Sequence, residues 1–153
     1  MSSAVAEARR ILRRGGLLLD IHPTDEPTWL EVWHARYAAG EVDMERPENL
    51  EALHRALAGE LDHDESVRDF TAATDALAEA LEHCFALQRT AAFDYRYFFD
   101  SLDELTDYLE DKWEHATAGD ALLERALTLM GQAAATPKLV VVQKVVVTVL
   151  RKL

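Results

Sequence analysis

The chain has 153 residues, of which 49% are hydrophobic and 29% charged, and its formal net charge at pH 7 is −12. These values are typical of a single globular domain over residues 1–153, and the acidic charge opposes broad attraction to nucleic acid phosphates or anionic membranes. The one cysteine, Cys84, cannot form an internal disulfide, and no apolar run reaches membrane-spanning length. Because the N-terminus is also not signal-like, the sequence predicts a cytoplasmic protein.

The N-terminal segment has the pattern of a helix, a glycine turn and a strand. Apolar residues at helical spacing predict the helix: Val5, Ala8, Ile11 and Leu12. Gly15 and Gly16 predict a left-handed end to it. The run LLLDI, from Leu17 to Ile21, is short and almost wholly apolar, which predicts a strand buried on both faces.

The middle of the chain carries weaker signals. Alternation over residues 27–37 (PTWLEVWHARY) favours a strand, and residues 38–49 are rich in turn formers. Residues 50–62 (LEALHRALAGELD) fit either a short helix or a strand near the end of the segment. From Asp64 to His83, apolar residues at helical spacing predict a helix.

The C-terminal part predicts a strand, two helices and a last strand. Aromatic alternation over residues 93–99 favours a strand, after an interruption near Thr90, and Ser101 with Glu104 forms a capping box for the next helix. A second helix lies between Gly119 and Gly131. The β-branched run from residue 138 to the end predicts a central strand, and the overall order indicates an α/β fold.

The segment EARRILRRGGLLLDIHP resembles a part of the class I S-adenosylmethionine-dependent methyltransferases. In that family a helix ends in an R-x-L-[RK]-P-G-G-x-L pattern and leads into the fifth strand of the sheet. The matching residues here are Arg10, Leu12, Arg13, Gly15, Gly16 and Leu18, and Arg14 stands where the family usually has proline. The resemblance implies a partial Rossmann-like sheet, in which the last strand, like the family's seventh, lies antiparallel between strands like the fifth and sixth.

The resemblance extends to the C-terminal half of that family only. The family holds its cofactor with a glycine-rich turn and an acidic residue that precede this segment, and no G-x-G occurs in the chain. The expectation is therefore a chain that begins in the middle of a two-half fold. It implies no cofactor-binding residue and no cofactor for the isolated chain, with S-adenosylmethionine bound only if another chain supplies the other half.

The same interpretation leaves the strand from Leu17 to Ile21 at an open sheet edge, which proteins normally cover. We therefore expect a homodimer, an exchange of elements between copies, or a partner chain at this edge. We expect no nucleic acid and no membrane as partners.

Asp20 and His22 are the candidates for catalysis, because they end a strand where open α/β sheets bind ligands and a His–Asp pair can transfer protons. The structural alternative is a locally hydrogen-bonded aspartate and a turn histidine before Pro23. Glu82, His83 and Cys84 make a poor nucleophile site, because neighbouring residues rarely face each other, and Cys84 is expected in the core.

A hydrophobic substrate pocket is the second candidate, and the aromatic residues predicted to line it are Trp29, Trp33, Tyr97 and Trp113; core packing is the alternative for most of them. The acidic run at residues 62–65 contains cation ligands, Asp62, His63, Asp64 and Glu65. Acidic residues at a helix start are ordinary, however, and no metal site is predicted there.

Three functions stay open at this point. The first is a methyltransferase-like binding or assembly module that is not catalytic alone. The second is a methyltransferase half that acts on a small molecule once another chain complements it. The third is a protein that binds a small hydrophobic ligand with its aromatic residues.

Overall fold

The computed structural model describes residues 3–36, 43–44, 46–63, 67–113 and 116–153. Within them the helices are α1 (Ser3–Ile11), α2 (Val67–His83), α3 (Leu102–Lys112), α4 (Asp120–Gly131) and a 3₁₀ helix (Pro47–Ala52). The strands are β1 (Leu17–Pro23), β2 (Trp29–Ala35), β3 (Leu53–Glu60), β4 (Asp62–His63), β5 (Phe85–Phe99), β6 (Ala116–Thr117) and β7 (Lys138–Lys152). The protein is therefore of mixed α/β class, with a mostly antiparallel sheet.

The chain forms two compact units. Unit 1 comprises residues 1–26, 65–94 and 144–153, and unit 2 comprises residues 27–64 and 95–143. Strands β5 and β7 are 15 residues long and contribute to both units.

Unit 1 is built on the C-terminal part of β7. β1 pairs with it antiparallel in an unbroken register, from Leu17 opposite Arg151 to Pro23 opposite Val145. β5 also pairs with β7. The Leu153 amide donates to the Cys84 carbonyl over 3.1 Å, and Lys144 Nζ lies 2.9 Å from Asp94 Oδ1, so β5 runs antiparallel along the edge of β7 that β1 leaves open.

One face of the unit 1 sheet is covered by α1 and α2. The buried residues of its core are Val5, Ala80, Cys84, Phe85 and Leu150, with Leu12, Leu18, Ala76 and Leu77 packed around them. Lys152 ties α1 to the end of β7, because its Nζ donates to the Leu12 carbonyl over 2.7 Å and to the Arg9 carbonyl over 2.5 Å. Arg9 lies in the last turn of α1 and Leu12 directly follows the helix, and a cation is favourable at this end of a helix.

Unit 2 has its own core. β2 pairs antiparallel with β3 and with residues 138–142 of β7, and its pairing with β3 is shifted between Leu30 and Glu31. The short strands β4 and β6 form a separate pair. The helices α3 and α4 contribute to a cluster of buried residues: Leu30, Val32, Ala58, Leu61, Phe99, Leu105, Leu109, Ala116, Ala126, Leu139 and Val141.

Most of the predicted elements are confirmed. Ser101 caps α3, with its hydroxyl accepting from the Glu104 amide over 3.1 Å, and the 1% or lower exposure of Leu139, Val140 and Val141 confirms that β7 is central. The ambiguous residues 50–62 contain β3, and β5 begins at Phe85, so the expected interruption near Thr90 is wrong.

The prediction that β1 is buried on both faces is also wrong. Leu17, Leu19 and Ile21 are 57–59% exposed, whereas Leu18 packs against the core of unit 1. The physical reason is that α1 and α2 cover only the face of β1 that bears Leu18, and a strand directs alternate side chains to opposite faces.

Gly15 provides a test of the turn between α1 and β1. Its φ is +77°, and a Cβ added there would contact nothing within 4 Å, so a substitution acts through the backbone alone. Gly15→Ala should therefore lower the free energy of unfolding by about 1 kcal/mol in chemical denaturation.

Gly131→Ala is the matched control, because its added Cβ also contacts nothing and its φ is not positive. It should leave the stability unchanged or raise it slightly, since alanine favours a helix. Equal effects of the two substitutions would contradict the left-handed turn at Gly15.

Candidate functional site

Asp20 and His22 lie on the same face of β1 and contact each other. His22 Nδ1 is 2.5 Å from Asp20 Oδ2, and the two side chains are 14% and 27% exposed respectively. They share this face with Leu18, as the alternation of a strand requires. An ionised carboxylate can only accept, so Nδ1 carries the hydrogen and Nε2 of a neutral imidazole is left as an acceptor.

The surroundings of this pair come from β7. Thr148, which is buried, lies opposite Asp20 in the register, and Val146 lies opposite His22. The structure thus brings the two predicted residues together: the imidazole of His22 is oriented by the carboxylate of Asp20, and Thr148 of β7 lies opposite that carboxylate. Such a pair can accept or supply a proton, which is the chemistry expected of it from the sequence.

The opposite face of β1 carries an apolar surface. We call Leu17, Leu19 and Ile21 the β1 apolar row; each side chain is more than half exposed. Their partners in β7 are Arg151, Val149 and Val147, and the two valines are half-buried. Three large aliphatic side chains in a row on a strand are typical of a surface that another element covers.

The outer edge of β1 is open along the part of the chain that the structure describes, where β7 is the only strand hydrogen-bonded to β1. Residues 17–23 thus combine an unpaired edge with an apolar face. Sequence reasoning predicted the edge but missed the face. The signal was present, because Asp20 and His22 alternate with apolar residues in LLLDIHP, although the run also fits a fully buried strand.

The predicted aromatic pocket is divided between different clusters of unit 2. Tyr97 and Trp113 pack together, with their ring centroids 5.0 Å apart, beside the main core of that unit. Trp33 is fully buried in another cluster, where its ring meets Phe98 edge-on at 5.7 Å, and its Nε1 donates to Glu31 Oε2 over 2.5 Å. Trp29 is 37% exposed on the same strand as Trp33.

Tyr97 is the most perturbed group of this aromatic set. Burial raises the pKa of its phenol to about 12, and the neighbouring Tyr108 and Tyr95 add to the increase because a phenolate there would be repelled by theirs. Trp113 also borders an open cleft of about 390 Å³, whose other lining residues are Thr106, Leu109, Glu110, Ala116, Thr117 and Ala118.

The other two candidate sites, around Cys84 and around His63, do not bring reactive side chains together in the described residues. Cys84 is buried, while Glu82 and His83 are exposed, with Oε2 and Nε2 3.7 Å apart, so this triplet does not place a base on the thiol. Asp62 and His63 form β4, and Asp64 and Glu65 lie outside the described residues. Within the described ranges, no three His, Cys, Asp or Glu side chains are grouped so as to hold a metal ion.

Comparison with known proteins yields no relative: no family model, no curated protein and no solved structure matches the chain. Helices in the described ranges are too short or too polar to cross a membrane. The function proposed below is therefore inferred from the residue pattern and the geometry of β1.

The raised pKa of Tyr97 predicts a loss of stability at high pH. Because folding raises this pKa from 10.0 to about 12, the unfolded chain releases the proton first, and stability falls as the pH rises from about 10 to about 12. Tyr97→Phe should therefore reduce the loss of folding stability at high pH. In a titration followed by tyrosinate absorbance, it should also remove the part of the curve that lies at the highest pH.

Tyr95→Phe is the control for that experiment, because Tyr95 is more exposed and lies 4.8 Å from Tyr97 between ring centroids. It should leave the highest-pH part of the absorbance curve in place. If Tyr95→Phe removes that part and Tyr97→Phe does not, the assignment to Tyr97 is wrong.

Proposed function

We propose that this chain is a methyltransferase-like binding and assembly module that docks through β1 and does not bind S-adenosylmethionine on its own. The observation that carries the proposal is the β1 apolar row, with side chains 57–59% exposed on a strand whose outer edge is open in the described structure. Apolar area of this kind favours association, at about 25 cal/mol for each Å² removed from water.

Two features support the methyltransferase-like part of the proposal. The R-x-L-x-x-G-G-x-L residues lie in α1, its turn and β1, as the resemblance implies. Within unit 1, β7 pairs with both β1 and β5, which is the order implied for strands like the fifth, seventh and sixth. We infer a partial Rossmann-like sheet from this order.

The absence of a G-x-G turn from the sequence supports the non-catalytic part. In doubly wound folds such a turn lets backbone amides approach the cofactor closely, and a side chain at those positions prevents it. The chain therefore offers no cradle of this kind for S-adenosylmethionine.

A catalytic alternative is favoured by one observation, the contact between Asp20 and His22. If a partner chain supplied the cofactor cradle, a small-molecule nucleophile could take the methyl group from the sulfonium of S-adenosylmethionine, and S-adenosylhomocysteine would leave. The imidazole of His22 could accept the proton that the nucleophile releases in this step. In that case the complex, and not this chain, would be the methyltransferase.

Isothermal titration of the purified chain with S-adenosylmethionine and S-adenosylhomocysteine tests the proposal. We expect no saturable heat for either compound up to about 1 mM, a range that covers the usual affinities of enzymes for their substrates. Saturable binding would show that a cofactor site forms without the glycine turn, and the non-catalytic function would be wrong.

Asp20→Asn provides a matched variant for that titration. If binding is observed and this variant weakens it, the catalytic alternative gains its first support, because the substitution removes the charge beside His22 while keeping the shape of the side chain. If the wild type and the variant bind the cofactor with equal affinity, the binding site lies elsewhere in the chain.

A further inference from the structure

The backbone of β1 divides its hydrogen-bonding groups between its two edges. The Thr24 amide donates to the Lys144 carbonyl over 2.9 Å, in line with the unbroken register from Leu17 to Pro23. In an antiparallel pair, alternate residues direct both backbone groups toward the partner. Even-numbered residues therefore bond to β7, and the N–H and C=O groups of the β1 apolar row point to the open edge.

We propose that this edge pairs with β1 of a second copy of the chain, antiparallel and about a two-fold axis at Leu19. This inference rests on the proposed function, and it names the partner that β1 docks. Leu19 then lies opposite Leu19 of the second copy, and Leu17 lies opposite Ile21. Because opposed residues exchange their N–H and C=O groups, all the outward groups of the β1 apolar row are satisfied.

Other registers satisfy fewer of these groups. A shift of two residues toward the C-terminal end brings Pro23 opposite Leu17, and proline has no N–H to donate. A shift in the other direction brings Gly15 opposite Ile21, and Gly15 is already engaged, since its amide donates to the Lys152 carbonyl over 2.9 Å. The pairing centred on Leu19 is therefore the favoured one.

The side chains of the β1 apolar row fit the same arrangement. Directly opposed residues share a face of the sheet, with Cβ atoms about 4.5–5.5 Å apart. Leucine thus meets leucine at the axis, and leucine meets isoleucine on either side of it. The row joins its copy into a continuous aliphatic strip, which removes area from water on both chains.

Charge favours a second copy at this edge. Two arginines, Arg13 and Arg14, precede β1, and two acidic residues, Asp25 and Glu26, follow it; all four are exposed. Antiparallel pairing places the basic start of one β1 beside the acidic end of the other, at both ends of the interface. Such complementarity orients association and depends on salt.

The distribution of net charge also favours association through unit 1 rather than through unit 2. It carries ten acidic and nine basic residues, counting arginine and lysine, whereas unit 2 carries eighteen acidic and seven basic. Most of the net charge of −12 thus belongs to unit 2. Two copies of unit 1 approach each other with little mutual repulsion.

Cysteine cross-linking tests the position of the axis. Leu19→Cys places two thiols opposite each other, with Cα atoms about 5.5 Å apart, within the range of a disulfide. We expect this variant to form a covalent dimer under mild oxidation, while the wild type does not, because its native Cys84 is buried.

Ile21→Cys is the matched control, since Ile21 and Leu19 are 58% and 57% exposed and lie on the same face. The two copies of residue 21 would be separated by about 14 Å along the strands, too far to bridge. Equal cross-linking of both variants, preferential cross-linking of Ile21→Cys, or none in Leu19→Cys would overturn the proposed pairing.

Sedimentation equilibrium of the reduced chain, without cysteine substitutions, tests the charge argument. We expect a dimer whose dissociation constant rises at least tenfold in Asp25→Arg/Glu26→Arg and recovers when Arg13→Glu/Arg14→Glu is added. A monomer at about 100 μM, or a dimer that the charge substitutions leave unchanged, would contradict the inference. The cofactor titration is independent, so the proposed function can fail or stand separately from this dimer.

Discussion

Backbone hydrogen bonding to β7 is the constraint on which the rest of the structure depends. Its 15 residues are mostly β-branched or leucine, and they pair with β1 in unit 1 and with β2 in unit 2. Leu139, Val140 and Val141 are nearly inaccessible to water. A strand buried on both faces must have both of its edges paired, because an unpaired peptide group away from water is costly. The other strands are arranged by this requirement.

This requirement does not apply to β1, because one of its faces is exposed, and this difference links the fold to the proposed function. The even-numbered residues of β1 form the backbone hydrogen bonds to β7. The N–H and C=O groups of the odd-numbered residues point to the open edge, and the side chains of the β1 apolar row are exposed. Leu17, Leu19 and Ile21, each more than half exposed, are the residues on which the proposed association depends.

The placement of Asp20 and His22 follows from this alternation. Both side chains point to the face that α1 and α2 cover in unit 1, where Asp20 lies opposite the buried Thr148. A polar pair is stable at such a position because its members bond to each other. The oriented imidazole is consistent with a structural role, and it is also the group that the catalytic alternative would use.

The amino-acid sequence by itself determined the local elements with strong and unambiguous signals. These include the left-handed turn at Gly15 and the capping of α3 by Ser101, each of which depends on residues close in the chain. The nearly continuous β-branched run of β7 likewise predicted a buried strand. The tertiary structure alone decided which face of β1 is covered and how the aromatic residues divide, with Tyr97 and Trp113 together and Trp33 in another cluster. The physical reason is that LLLDI has the same composition whether one helix layer or two lie against it, and burial depends on elements far along the chain, such as α2.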